Sequence, residues 1–263
     1  MTPRQLLVRG LLAGFIASLF SFGIACTVGE PQVDAAIAIE EAGSAATADT
    51  APHEHADGHT HSHADDGTEV PRDVQSTFGL ATGILTVGTA LGGVVGLASA
   101  FAVGRLGRLR PSQSTALVAL VGYVSFSLVP FLKYPSTPPA VGNADTIGDR
   151  TLHYFVVQGI AVLAAVAAVA AARLLLPRLG TYRTVLATVG GFLAVVVVTA
   201  LAMPTVNELG SFPADTLWQF RLASLLTNAT LWAGLGIILV GLVGRLHEQE
   251  TVRVVRRDLA ASL

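Results

Sequence analysis

Five histidines fall within twelve residues, in the stretch PHEHADGHTHSH from Pro52 to His63. They are His53, His55, His59, His61 and His63, and the rest of the chain holds only His153 and His247. Neutral imidazole ligates Zn, Cu, Ni, Co and Fe, and with a pKa near 6.5 it is mostly unprotonated at neutral pH. Glu54, Asp57, Asp65, Asp66 and Glu69 place oxygen donors among and after the rings. The intervening Ala, Thr, Gly, Ser and Pro cannot bury a core, so the segment is expected to be disordered when empty. Closing such a segment around an ion costs ordering entropy, which suits capture and release better than permanent structural ligation. A solvated, pH-responsive linker is the competing possibility. Cys26 is the single cysteine, and the two methionines include Met1, so soft-ligand Cu(I) chemistry is disfavoured. Co(II), Ni(II) and Zn(II) remain, as transported or transiently bound ions rather than a permanent cofactor.

What holds this segment in place is apolar. The 263 residues are 52% hydrophobic and 13% charged, with a mean hydropathy of +0.61. A soluble domain is about a quarter charged, so most of this chain is expected to sit in lipid. Spanning a bilayer takes about 20 mostly apolar residues. Six runs qualify, over 6–28, 78–103, 115–132, 152–176, 185–203 and 217–243. The third is short and ends at Pro130, and Pro177 and Gly180 separate the fourth from the fifth. With their flanks the first two spans become 1–28 and 77–103. The connections are then 29–76, 104–114, 133–151, 177–184 and 204–216, with a tail over 244–263.

Charge sorts these connections. The amino-terminal flank, 104–114, 177–184 with Arg173, and the tail hold 12 of the 16 basic residues and 3 of the 18 acids. The other three connections hold 15 acids and, as basic residues, only Arg72, Lys133 and Arg150. By the positive-inside rule both termini face the cytoplasm and the histidine-rich loop lies outside. Tyr134, Tyr154 and Trp218 fall at outer helix ends, as an interfacial aromatic belt requires. The expected fold is an all-α polytopic membrane bundle of about six helices, in the cytoplasmic membrane. A signal peptide ending at Cys26 competes for the first run. The length of that run, and Gly23 where a branched apolar residue is usual, argue against it.

Gly79 and Gly83, and then Gly88, Gly92 and Gly96, recur every four residues and form a seam for close helix packing. The polar residues within spans are few: His153, Gln158, Arg221 and Asn228. A charge in a span marks a functional site by default, although Arg221 lies one turn from Trp218 and can snorkel outward. The sequence has no Walker A pattern, no HExxH or GxSxG motif and no acids at the centre of a span, which disfavours an enzyme. Nothing points to nucleic acid.

Three further outward stretches are too particular to be spacers. In GEPQVDAAIAIEEA (29–42), Glu30, Asp34 and Glu41 fall within about 40° on a helical wheel. The others are KYPSTPPAVGNADTIGDRT (133–151) and MPTVNELGSFPADTLWQFRLASL (203–225), whose Pro and Gly suggest the turns of a vestibule. Together with VQSTFGLATG (74–83), these stretches closely resemble the motifs of the CbtA family of cobalt transporter subunits, in matching order over nearly the whole chain. The resemblance implies a membrane protein of cobalt uptake linked to cobalamin synthesis. It also implies a small single-span partner, CbtB. The family is often assigned five spans, against six here. On this basis the five loop histidines recruit Co(II), and Glu30, Asp34, Glu40 or Glu41 relays it. Asp145, Asp149, Glu208 and Asp215 complete a vestibule near His153, and the ion passes Arg221 and Asn228, with Asp215 as a possible counter-charge for Arg221. A metal-sensing or metal-storing membrane protein without transport is the alternative.

Overall fold

The computed structural model describes residues 1–49, 71–107 and 109–262. The histidine-rich stretch, with His53, His55, His59, His61 and His63, lies outside them. The described residues are 86% helical, and no strand occurs among them.

The first helix begins with a reciprocal cap. The Gln5 backbone N–H donates to the Thr2 hydroxyl (3.3 Å), and the Thr2 N–H donates to the Gln5 side-chain oxygen (2.7 Å). Pro3 fills the first helical position, where a missing N–H costs nothing. The helix runs as α1 (Pro3–Ile24), passes through a π turn at Ala25–Gly29, and continues as α2 (Glu30–Asp49). The next has the same plan: α3 (Arg72–Val74), a π turn at Gln75–Gly79, and α4 (Leu80–Ala102). The third consists of α5 (Pro111–Gly122), a π turn at Tyr123–Leu128, and α6 (Val129–Lys133). Then come α7 (Ile147–Ala202) and α8 (Ala214–Ala261).

Among the described residues, five helices are long and apolar enough to cross a membrane. The fourth of them, α7, would be about 84 Å long if straight, nearly three bilayer cores. It is not straight. The helix runs through Pro177 and breaks at Gly180, whose φ of 71° and ψ of 172° suit glycine. Two limbs result, 147–179 and 181–202. Phe192 and Val196 from the second, and Met203 just past its end, pack against a cluster formed by Val157 and Ala161 of the first and Val129 of α6. The break expected between the fourth and fifth runs is therefore present, at Gly180.

The main core joins α1, α4, α5 and α8 around Leu6, Ala13, Ala17, Leu235, Leu239 and Val243, all essentially inaccessible. Glycine sets the α1–α4 distance. A side chain at Gly10 or Gly14 would strike the backbone of Gly88, Gly92 or Gly96; one at Gly92 or Gly96 would strike the α1 backbone in return, and one at Gly88 would meet the Ser18 and Leu231 side chains. The Gly88, Gly92 and Gly96 part of the seam thus meets a matching one on α1, while Gly79 and Gly83 meet no neighbouring helix among the described residues. Trp232 of α8 fills the space over Gly122 and donates its indole N–H to the Ser127 hydroxyl at 2.8 Å. Some buried hydroxyls bond back to their own helices, as Ser18 does to Gly14 and Ser125 to Val121. The outer surface is rich in apolar side chains such as Leu163, Leu174 and Leu201, the last 82% exposed. Lipid, not water, is the solvent that suits such a surface.

Candidate functional site

A cavity of about 480 Å³ lies at the end of the bundle away from the contact between the Met1 amino group and Glu250. That volume suits a small-molecule site. Three parts of the chain build it.

The first is the π turn at Tyr123–Leu128 with α6 behind it. A π turn leaves carbonyls without their usual partners. Gln158 of α7 satisfies one of them, donating from Nε2 to the Phe126 carbonyl at 2.9 Å. The indole of Trp232 engages Ser127 from the other side. The turn is thus pinned by side chains of two other helices, and it presents Tyr123, Ser127 and Leu128 to the cavity.

The second part is the pair of loops, 133–146 and 203–213. Glu208 ties them together. Its carboxylate accepts from the Asn143 backbone N–H (2.9 Å) and the Thr146 hydroxyl (3.0 Å), with Arg150 Nε at 3.7 Å. The Asn143 and Thr146 bonds, aided by Arg150 and opposed by partial desolvation, hold the Glu208 carboxyl below its usual value. Arg150 also donates to the Asn143 carbonyl. Lys133 closes the far side, donating to the carbonyls of Ala200 (2.8 Å) and Met203 (3.0 Å) at the end of α7. Tyr134 reaches the Pro204 carbonyl at 2.7 Å.

The third part is α8. Arg221, Ser224 and Asn228 recur at helical spacing along one face and line the cavity. This stretch is anchored to α1 by Ser21, whose hydroxyl donates to the Thr227 carbonyl at 2.9 Å.

Of the vestibule residues expected from sequence, Glu208, Arg221 and Asn228 line the cavity, while Asp145, Asp149, His153 and Asp215 do not. His153 instead stacks on Tyr134, with ring centroids 6.3 Å apart and planes at 22°. Asp215 forms no ion pair with Arg221; the Arg221 Nε is buried without a hydrogen-bond partner. Sequence reasoning passed over Lys133, Arg150 and the tyrosines as site residues. One signal was available: Arg72, Lys133 and Arg150 are the basic residues that stand among acids, and each has a specific partner here.

The acidic motif is held elsewhere on the same end. Glu30 and Asp34 converge on Arg72, whose guanidinium reaches Asp34 at 2.8 Å and also pairs with Glu30. Glu40 and Glu41 follow on the same helix. Among the described residues no three His, Cys, Asp or Glu side chains come together as a metal cluster.

The profile of a family described as "Probable cobalt transporter subunit (CbtA)" matches residues 3–244. No curated protein and no solved structure matches the chain.

Proposed function

The chain belongs to the CbtA family of probable cobalt transporter subunits, and from that membership we propose that it gathers Co(II) at the outer face of the cytoplasmic membrane for uptake. The supporting observation is a family match over residues 3–244 in a chain whose histidine tract interrupts two long apolar helices. The positive-inside rule puts that tract, Glu30, Asp34, Lys133 and Glu208 on the outer side. Counting the two limbs of α7 separately gives six crossings and both termini inside.

His53, His55, His59, His61 and His63 take the ion first. Glu30 and Asp34, with Glu40 and Glu41 beyond them, receive it next. Arg72, nine positions after His63, holds the Glu30–Asp34 pair. Transfer of a divalent cation to these carboxylates displaces the guanidinium, so that two positive charges replace one against the pair of carboxylates. Asp145, Asp149 and Asp215 add negative charge around the rim and raise the local cation concentration. Ni(II) and Zn(II) compete for the same donors. A small single-span CbtB subunit completes the system, whose uptake serves cobalamin synthesis.

The test is cobalt accumulation in cells expressing the chain with and without CbtB. Wild type should accumulate cobalt. Replacing the five loop histidines by alanine should raise the external cobalt needed for half-maximal uptake while leaving uptake at saturating metal. No accumulation under either condition would rule out transport and leave a sensor or store as the reading.

A further inference from the structure

The cavity has the wrong charge for a bare metal cation. Lys133, Arg150 and Arg221 face a single carboxylate, Glu208. Glu208 is already engaged by the Asn143 N–H, the Thr146 hydroxyl and Arg150. Arg221 is left without a counter-ion, and its Nε is buried with no hydrogen-bond partner. The Ser136 hydroxyl, also on the wall, is likewise buried and unpartnered. Buried donors of this kind are expected to be matched. An aquated divalent cation offers them only water hydrogens and a further positive charge.

We propose that this cavity binds a small oxyanion ligand of the carboxylate or phosphate class, seated on Arg221 and accepting from Ser136. A carboxylate or phosphate presents paired oxygens that match the guanidinium fork. The tyrosine walls at 123, 134 and 154 add flat apolar area, and the Tyr123 and Tyr154 hydroxyls can donate to further oxygens, the Tyr134 hydroxyl being held by the Pro204 carbonyl. A volume of about 480 Å³ holds a di- or tricarboxylate with some water. The ligand enters either as a free anion or as the anionic shell of a chelated metal ion. The site does not depend on cobalt being the cargo.

Purified full-length chain in lipid nanodiscs is titrated calorimetrically with citrate, with inorganic phosphate and with preformed Co(II)–citrate. At least one should bind the wild type, and Arg221→Gln should weaken it by about tenfold or more, the loss of one charge-assisted pair. Arg245→Gln, about 36 Å farther along the same helix α8, should bind as wild type does. If Arg221→Gln does not fold, Arg150→Gln reads the same loss of cavity charge. Tighter binding of Co(II)–citrate than of citrate identifies a metal-clad anion, and equal binding a free one; either supports the site. The proposal is overturned if none of the three binds folded wild type at millimolar concentration. It is also overturned if Arg221→Gln and Arg245→Gln have equal effects. Since no uptake is measured, failure here leaves the transport reading standing, and failed transport leaves this one.

Discussion

The glycine seam between α1 and α4 makes the sharpest quantitative prediction, because α4 contains its own control. A Cβ added at Gly92 would lie 2.7 Å from the Gly14 Cα and 2.8 Å from its nitrogen, closer still to the Gly10 carbonyl oxygen. Ordinary contact needs about 3.5 Å, so α1 and α4 must part by nearly 1 Å. A gap of that size forfeits a quarter to a half of each dispersion contact worth about 0.1–0.2 kcal/mol. Over on the order of 50 atom pairs along the seam, the loss is about 1–5 kcal/mol, which spans the usual range for overpacking. Gly83→Ala makes the identical chemical change on the same helix, and its Cβ meets nothing within 4 Å. It should be neutral or up to about 1 kcal/mol stabilising, from helix propensity. Reversible unfolding in mixed detergent micelles, followed by tryptophan fluorescence, compares the two. Equal midpoints for Gly92→Ala and Gly83→Ala would show that glycine contact does not set the separation of these helices.

Other predictions concern the walls of the cavity. Ser127→Ala leaves the Trp232 indole N–H unpaired in the interior and should cost about 1–3 kcal/mol. In a Trp232→Phe background the same change should cost at least about 0.5 kcal/mol less, which a double-mutant cycle in the same unfolding assay would measure. Lys133→Met removes the donor shared by the Ala200 and Met203 carbonyls and should speed amide exchange over 199–205 with little effect at 86–96. The Glu208 clamp is pH-dependent. Its folded pKa lies below the free value of 4.5, so its stabilisation is present above about pH 4.5 and fades as pH falls through the lower folded value. Amide protection over 143–150 should therefore drop on acidification below that point, and Glu208→Gln should show no such drop.

Much of this was readable from composition, and the reason is physical. Lipid demands long apolar runs, so 6–28, 78–103 and 217–243 announce themselves. Close helix contact demands small residues, so Gly88, Gly92 and Gly96 marked a packing seam that the structure places against Gly10 and Gly14. The cavity was less legible. In lipid the inside and outside of a helix are both apolar, so periodicity does not report which face is buried; α7 shows this, with Leu163 and Leu174 exposed and Val157 and Ala161 buried. The Glu208 clamp joins residues 58 to 65 positions apart in sequence, through a backbone N–H that no composition reveals. Three acids and His153 were grouped with it only because they share the same loops. The π turns left no trace either, since they arise where helix register must yield to packing.

Those turns also make chain length itself a specified quantity. Each wide turn accommodates one residue more than an α-helix would, and every residue advances a helix by about 100°. Removing one residue between Ala25 and Gly29 would leave each side chain of the acidic motif chemically intact yet swing Glu30 and Asp34 a quarter-turn or more away from Arg72. Single-residue deletions there should be far less tolerated than most point substitutions, and a compensating insertion a few positions later would not restore the pair.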